Sequence, residues 1–368
     1  MTMREDILKN EEKAVFALRG LYKQYGYLPF KMSKFEPYDL YVKNKDFLVS
    51  DSVITFNDTN GDLLALKPDV TLSIIKNTTD TPGVKEKVYY NENVYRVSGS
   101  THRFKEIMQT GLECIGDVDL YDVFEVIFLA AKSLDTVTSD FALDLSHMGI
   151  FKAFLDNTGK DDVFKKEFIR LVSEKNRHEA EKLLKDYNVD PEKSMQLLSF
   201  IDLYGAPDKV LSKLEVLVET DREKEALKEL SDICKLLSKT QYADRIRIDF
   251  SVINDMNYYN GIVFKGFLKG IPEGVLAGGQ YDALMERMGR RSGALGFALY
   301  LDLLEDLNTD TKTWDVDVLL LYKESDDIAK VLDRVMALTE SGLTVSAQKV
   351  IPEKLRYKMT ENFYGEVK

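Results

Sequence analysis

The sequence predicts an α+β fold, and three observations support this prediction. Runs of β-branched and aromatic residues follow one another in hairpin order in the first third of the chain. Residues 152–243 are rich in Lys and Glu with Leu and Ile at helical spacing, which predicts an all-helical insertion. After Thr311 the order strand, helix, strand predicts a short α/β appendage.

The composition argues against several classes of protein. The 50 Lys and Arg against 62 Asp and Glu give a formal net charge of -12, which disfavours tRNA as the main partner. Cys114 and Cys234 form no CxxC pair, so neither a disulfide framework nor a zinc site is indicated. The histidines His102, His147 and His178 have unrelated spacings, and we predict no metal. The charged N-terminus and the lack of a long apolar run indicate no membrane span, and we expect a cytoplasmic protein.

The first elements have clear patterns. Residues 4–25 carry apolar side chains at three- and four-residue intervals, which predicts an amphipathic helix packed on a sheet. The runs VITF (53–56) and LLAL (63–66) flank a polar turn that ends in Asn60 and Gly61, where left-handed backbone angles are easily adopted. A β-hairpin is therefore predicted.

Two polar residues stand at the start of the next predicted helix. The segment LKPDVTLSIIKN (66–77) passes from a strand end through Asp69 and Thr71 into an apolar helical run. These side chains are candidates for ligand binding. The alternative is that Asp69 or Thr71 only caps the helix.

Two β-rich runs between Lys87 and Ile115 are joined by a polar loop, and they predict an antiparallel pair. In the second run Gln109, Gly111 and Glu113 share one face, because side chains alternate along a strand. A glycine between an amide and a carboxylate leaves room for a ligand on that face. The alternative is a solvated sheet face.

The middle of the chain continues the alternation of helices and strands. Residues 117–134 predict an amphipathic helix with Leu120 among its inward positions. The run FALDLSHMGIFKAFL then predicts a strand that enters another helix through His147. His147 either contacts a ligand or is a hydrogen-bonded residue at the junction.

Strands return after the helical insertion. RIRIDFSVI (245–253) and YYNGIVFKGFL (258–268) predict strands, and GALGFALYLDLL predicts a further strand and a helix. Between them AGGQYDALMERMG places Gly278 and Gly279 where we expect a helix to open. Such a pair either admits a ligand close to the backbone or lets helix and strand pack.

Four segments, in order, resemble the landmarks of class II histidyl-tRNA synthetases. They are LKPDVTLSI, YRVSGSTHRFKEIMQTGLECIG, MNYYNGIVFKGF and AGGQYDALMERMGRRSGALGFALYLDLL. The resemblance implies a mostly antiparallel sheet flanked by helices, in a synthetase-like domain over 1–310 that contains the insertion at 152–243. Residues 311–368 would form an abbreviated C-terminal α/β domain, and the chain would dimerise.

The resemblance also implies a histidine pocket. Asp69 and Thr71 match the positions that hold the α-amino group, and Arg96 is assigned to the carboxylate. The whole set of positions implied to bind histidine is Asp69, Thr71, Arg96, Gln109, Glu113, Tyr258, Tyr259, Gly278 and Gly279.

The nucleotide side departs from the synthetase pattern. Ser98 stands where the family has a glutamate, and Asn254 and Leu303 stand where it has arginines. Adenylate formation needs cations around the polyphosphate, where charge moves to the leaving group. The chemistry is therefore predicted to be lost, with no catalytic residues and no cofactor.

A synthetase-like chain with a histidine pocket and no ATP clamp resembles the regulatory subunits of ATP phosphoribosyltransferase, and LDLSHMGIF (143–151) is typical of them. This resemblance implies a partner, the short-form catalytic subunit, in a hetero-oligomer that histidine inhibits as effector. Three alternatives remain: an active histidyl-tRNA synthetase, an adaptor that does not sense histidine, and a tRNA-binding paralogue.

Overall fold

The computed structural model describes residues 8–44, 53–97, 103–252, 258–306 and 314–363. The chain divides into two compact units, Met1–Leu307 and Asn308–Lys368. The sequence prediction placed a domain boundary at residue 310, three positions from this division.

Helices account for much of the first unit and for one element of the second. The α-helices are α1 (Asn10–Gln24), α2 (Tyr38–Lys43), α3 (Thr71–Asn77), α4 (Leu120–Val137), α5 (Met148–Asp156), α6 (Asp162–Ser173), α7 (Arg177–Asp186), α8 (Pro191–Asp202), α9 (Pro207–Leu217), α10 (Asp221–Leu237), α11 (Asp282–Arg287) and α12 (Ile328–Glu340). Short 3₁₀ segments are Ala243–Arg245, Phe250–Val252 and Leu301–Asp306.

The strands range from two-residue edges to long hairpin arms. They are β1 (Leu28–Pro29), β2 (Phe35–Pro37), β3 (Thr55–Asn57), β4 (Leu63–Leu66), β5 (Lys85–Val97), β6 (Phe104–Gly116), β7 (Phe141–His147), β8 (Tyr204–Gly205), β9 (Ile246–Asp249), β10 (Ile262–Leu268), β11 (Gly274–Gln280), β12 (Gly293–Tyr300), β13 (Val316–Leu321), β14 (Val345–Gln348) and β15 (Tyr357–Asn362).

A large sheet organises the first unit. Within the described residues it has nine strands in the order β1-β5-β6-β12-β11-β10-β7-β9-β8. Its pairs are antiparallel except for β1 with β5 and β7 with β9. The predicted α+β fold, a mostly antiparallel sheet flanked by helices, is confirmed. A small sheet, β2-β4-β3, holds the predicted hairpin, with Gly61 at a φ of 92° in its turn.

Helix α1 packs on the sheet through the apolar positions that its sequence pattern predicts. Ala14, Leu18 and Tyr22 recur at four-residue spacing, and all three are buried against the sheet. The helix ends before Gly26, whose φ of 82° places it in the left-handed region that favours glycine. The predicted amphipathic helix is therefore confirmed over its described part.

The large sheet has a different core on each face. The main apolar cluster includes Leu112 and Cys114 of β6 and side chains of α1, α4 and the helical insertion. A second cluster, on the other face, includes Ile115 with residues of α3 and α11. Alternation along β6 therefore sends Gln109, Gly111 and Glu113 to the face of the second cluster, which we call the pocket face.

Several predictions need correction. Gly278 and Gly279 lie inside β11, and the helix begins only at Asp282. The insertion is helical as predicted, but β8 also extends the sheet from it. Leu120, predicted to face inward, is exposed because it is the first residue of α4.

The second unit is built around a parallel sheet. In the described part of this unit, β13 lies between β14 and β15 and is parallel to both. Val318, Leu319 and Leu320 of β13 are buried, as expected for the central strand of a parallel sheet. The predicted order of strand, helix and strand is confirmed, with one further strand.

Candidate functional site

Glu113 lies at the end of a row of glycines that crosses the sheet. The register pairs Glu113 of β6 with Gly296 of β12, and Gly296 with Gly279 of β11. A Cβ at Gly296 would lie 1.7 Å from Glu113 Oε2. The glycine therefore makes the space that the buried carboxyl group occupies.

Two hydroxyl groups donate hydrogen bonds to the Glu113 carboxylate. Thr71 Oγ1 donates to Oε1 over 3.0 Å, and the Tyr281 hydroxyl donates to Oε2 over 2.5 Å. Burial raises the pKa of Glu113 to about 8, and the nearby Asp69 charge adds to this, while the two hydrogen bonds oppose it. Glu113 is thus a buried group that keeps its proton to a higher pH than an ordinary glutamate does, because burial raises its pKa.

Two adjacent tyrosines lie beside this row of glycines. The rings of Tyr258 and Tyr259 are 4.7 Å apart at their centroids, and the Tyr258 and Tyr281 rings are 5.9 Å apart. A Cβ at Gly279 would meet the Tyr259 ring at 2.7 Å, so this glycine lets the ring lie against the sheet. Burial raises the pKa of Tyr258 well above its ordinary value, and the charge of Asp69 adds to this.

Asp69 bonds to the start of α3, as the capping interpretation predicted, and its charge also acts on Glu113. Its Oδ1 accepts a hydrogen bond from the Leu72 backbone N–H over 3.0 Å, at the start of α3. Burial raises the pKa of Asp69, while this backbone hydrogen bond and the charge of Arg96 lower it. The Asp69 carboxylate therefore interacts with the charge of Arg96, and one of its oxygens is hydrogen-bonded to the first turn of α3.

Gln109 and Arg96 lie on the same face at the other end of the β5–β6 hairpin. Gln109 is buried and pairs in register with Glu92 and with Tyr300. Arg96 donates from Nε to the Pro68 carbonyl oxygen over 2.9 Å. One donor of this guanidinium is therefore used to hold the segment before α3.

The structure separates Gly278 from the other predicted pocket residues. A Cβ there would meet the Phe297 Cβ at 2.5 Å and the Phe264 ring at 2.6 Å, and both side chains belong to the main core. Gly278 serves packing on the core face, because neighbouring strand residues point to opposite faces. The room predicted at Gly111 is also occupied, since a Cβ would lie 2.6 Å from the Tyr90 hydroxyl.

His147 is a hydrogen-bonded residue at the junction of β7 and α5. Its Nδ1 accepts from the Ile150 backbone N–H over 3.3 Å, and its Nε2 lies 3.1 Å from Glu229 Oε2. Glu229 is part of α10, so this contact joins the sheet to the helical insertion. The histidine caps α5, which agrees with the second interpretation of the sequence.

Three residues of the pocket face were not singled out in the sequence. Tyr281 donates to Glu113, and Lys67 forms an ion pair with Glu92 at 2.9 Å. Tyr281 directly follows the glycine pair and Gln280. Its place in the segment AGGQYDALMERMG could therefore have marked it as a candidate. Lys67 directly follows the apolar run LLAL and is buried. A buried charged residue needs a partner of opposite charge.

Of the three positions where the sequence departs from the synthetase pattern, Ser98 and Asn254 lie outside the described residues. Leu303 is partly buried and packs against the main apolar core. Its side chain is therefore part of the fold's packing. A charged residue there would have to leave that contact.

The described residues contain no group of three or more His, Cys, Asp and Glu side chains that could hold a metal ion. Across the same residues, none of the helices has the length and apolar character needed to span a membrane.

Comparison with known proteins identifies the family. The histidyl-tRNA synthetase family profile matches residues 3–304. An ATP phosphoribosyltransferase regulatory subunit from Alkaliphilus metalliredigens is 31% identical over 285 residues, which are 75% of this chain and 71% of that protein. The protein of the same name from Caldanaerobacter subterraneus is 30% identical over 357 residues, 94% of this chain and 89% of that protein.

Solved structures have the same fold. A protein from Bacillus halodurans, described as an ATP phosphoribosyltransferase regulatory subunit/histidyl-tRNA synthetase, superposes with a TM-score of 0.74 at 22% identity, over 94% of this chain and 91% of that chain. A chain of the ATP phosphoribosyl transferase (HisG:HisZ) complex from Thermotoga maritima superposes with a TM-score of 0.62 at 20% identity. The superposition covers 79% of this chain and 97% of that chain. The chain therefore belongs to the histidyl-tRNA synthetase family and, within it, to the ATP phosphoribosyltransferase regulatory subunits.

Proposed function

We propose that this regulatory subunit binds free histidine on the pocket face, activates a short-form ATP phosphoribosyltransferase catalytic subunit and inhibits it when histidine is bound. One observation carries the histidine part of the proposal. The buried Glu113 carboxyl group lies on a glycine floor beside Tyr258 and Tyr259, where it can accept an imidazole N–H. Asp69 adds a negative charge for the α-ammonium group, and Arg96 a positive charge for the carboxylate.

Histidine titration calorimetry tests the site directly. Thr71→Val removes the hydroxyl that donates to Glu113, and we expect histidine affinity to fall about tenfold, at the upper end of the effect of losing one hydrogen bond. Thr110→Val is the matched control, because Thr110 is a buried threonine on the opposite face of β6 that donates to the Tyr90 carbonyl oxygen. Absence of binding to the folded wild-type chain at millimolar histidine would favour an adaptor that does not sense the amino acid.

The partner is proposed from family membership. The relatives are named regulatory subunits of ATP phosphoribosyltransferase, and the Thermotoga maritima chain comes from a complex of that enzyme. Mixing this chain with a short-form catalytic subunit should give a hetero-oligomer on size-exclusion chromatography and raise the transferase rate. Histidine should then lower that rate. Reciprocal linkage requires the active complex to bind histidine more weakly than the inhibited one does.

We also infer that synthetase chemistry has been lost. Leu303 packs against the main core, and it offers no charge for a polyphosphate. Pyrophosphate exchange that depends on ATP and histidine should therefore remain at background with the purified chain. Clear turnover would mean that the chain is an active histidyl-tRNA synthetase.

A self-dimer is proposed through the outer edge of the large sheet. Strand β1 forms this edge, and Leu28 is 68% exposed there. Phe16 of α1 and Tyr121 of α4 are also exposed large apolar side chains, and α1 packs on α4. Leu28→Asp should shift the chain towards monomer in light scattering. Val216→Asp, at a residue that is 84% exposed in the helical insertion, should leave the dimer unchanged.

A further inference from the structure

A polar junction joins the helical insertion to the large sheet on its core face. Glu229 of α10 lies 3.1 Å from His147 Nε2. Because His147 Nδ1 accepts the Ile150 N–H, Nε2 carries the proton and donates a hydrogen bond to the Glu229 carboxylate. This hydrogen bond lowers the pKa of Glu229, a hydrogen bond from the Gln280 side chain adds to the effect, and burial opposes it. The junction therefore consists of Glu229, His147 and Gln280.

Gln280 ends β11 directly behind the pocket. It pairs in register with Leu295 of the main core, so its side chain is on the core face. Its neighbour Gly279 lies under the Tyr259 ring on the pocket face, and Tyr281, which follows it, donates to the buried carboxyl group of the site over 2.5 Å. A displacement of this strand end therefore acts on two residues of the pocket at once.

The Gln280 side chain also holds the segment that follows the two adjacent tyrosines. Its Oε1 accepts the Ile262 N–H over 2.7 Å, and its backbone oxygen accepts the Asn260 N–H over 3.1 Å. A Cβ at Gly261 would lie 2.0 Å from Gln280 Oε1, so the glycine makes room for the amide. Gln280 thus fixes the backbone on the C-terminal side of Tyr259.

Glu229 sets the direction of the Gln280 amide. Since Oε1 is committed to the Ile262 N–H, the amide nitrogen is the group that donates to Glu229. The Glu229 side chain is 36% exposed, so water screens its charge and its removal costs the fold little. A change at this junction can therefore alter the pocket while the chain stays folded.

Resting on the proposed function, we propose that Gln280 is a positioning residue of the histidine site, held by Glu229 and His147, and that through it the docking of the helical insertion is coupled to histidine binding. Gln280 acts through the backbone on either side of it and does not contact the ligand. By linkage, histidine that binds more tightly to the docked insertion also stabilises the docking.

A substitution with a rescue tests the proposal. Gln280→Glu keeps the acceptor for the Ile262 N–H but places a second carboxylate beside Glu229, and histidine affinity in titration calorimetry should fall about tenfold. Adding Glu229→Gln should bring affinity back to within about threefold of wild type, because this amide can donate to the new carboxylate and accept from His147. Unchanged affinity in the single variant, or no rescue in the double variant, overturns the proposal. If Gln280→Glu does not fold, Glu229→Ala decides, with an expected loss of at least about threefold.

Hydrogen exchange separates the coupling from a merely structural role. Saturating histidine should slow amide exchange in α10 of the wild-type chain at least about fivefold more than in α12, and Gln280→Glu should lose this protection. Glu225→Gln, at an exposed residue one turn earlier on α10, is the matched control and should keep both affinity and protection. A wild-type chain that binds histidine without protecting α10 overturns this inference alone. A wild-type chain that binds no histidine rejects the proposed function with it.

Discussion

The two ends of the β6–β12 strand pair are built differently. At one end Glu113 faces Gly296, and the missing side chain leaves space for a buried carboxyl group. At the other end Gln109 faces Tyr300, and Leu303, which follows β12, is partly buried against the main core on the opposite face. The first end therefore holds a buried carboxyl group beside glycines, and the second holds a buried amide beside a tyrosine. In the histidine site that we propose, the group that contacts the ring lies at the first end.

The largest expected effect concerns the pH dependence of stability at the Glu113 end. The pKa of Glu113 rises from its ordinary value of 4.5 to about 8 on folding. Between these values the unfolded chain releases a proton that the folded chain keeps, so stability falls as pH rises through this window. Relative to Glu113→Gln, the wild-type chain should lose up to about 4 kcal/mol of unfolding free energy between pH 4.5 and pH 8. Denaturant unfolding at a series of pH values measures it, and parallel curves for the two chains would contradict the raised pKa.

The glycine at this end should be nearly as sensitive. Gly296→Val places a Cβ 1.7 Å from Glu113 Oε2 and 2.4 Å from the Leu112 carbonyl oxygen, and the backbone atom cannot move aside easily. We expect the unfolding free energy to fall by about 3 kcal/mol, with loss of histidine binding.

Gly20→Ala is the control for the glycine prediction. Gly20 lies inside α1, and a Cβ there meets no atom within 4 Å. This change should stabilise the chain by about 0.5 to 1 kcal/mol, as expected for alanine in a helix. A Gly296→Val chain as stable as wild type would mean that the Glu113 carboxyl group does not need the glycine floor.

The contrast between the two ends also marks what sequence reasoning could reach. Thr71 and Glu113 were predicted together as pocket residues, and the structure brings them into contact. Tyr281 was missed although it donates to the same carboxylate, because its contact spans 168 positions and depends on the order of the strands in the sheet. A family motif predicts such long-range contacts only for the residues that the motif itself includes.

Register explains most of the remaining differences. Gly278 and Gly279 look equivalent in sequence, but successive strand residues face opposite sides, so one packs on the core and the other under Tyr259. The fold itself was predictable, since the long helices and strands have clear periodicities and four segments in order resemble the synthetase landmarks. The pairing of Lys67 with Glu92 was not, because it joins two segments 25 residues apart whose relative position only the folded sheet defines.

At the Gln109 end, an arginine in place of Leu303 should lower the free energy of unfolding without restoring synthetase activity. Leu303→Arg removes a partly buried apolar side chain that packs against the main core and brings a charge to the edge of that core. We expect the unfolding free energy to fall by about 2 kcal/mol, while pyrophosphate exchange stays at background. Leu332→Arg, on an exposed face of α12, is the matched control and should change stability by less than about 0.5 kcal/mol. Exchange activity in Leu303→Arg would mean that this residue alone blocks the synthetase reaction.

The smallest effect is expected for an ion pair at the same end. Lys105 Nζ lies 2.8 Å from Asp302 Oδ2, and the two side chains are 51% and 23% exposed. Water and salt screen such a pair, so Lys105→Ala should lower the unfolding free energy by no more than about 1 kcal/mol, and by less at high salt. Denaturant unfolding of wild type and Lys105→Ala at low and high salt measures this. A loss larger than that of Leu303→Arg would mean that the Gln109 end is held by charge, and the contrast with the Glu113 end would then need a different explanation.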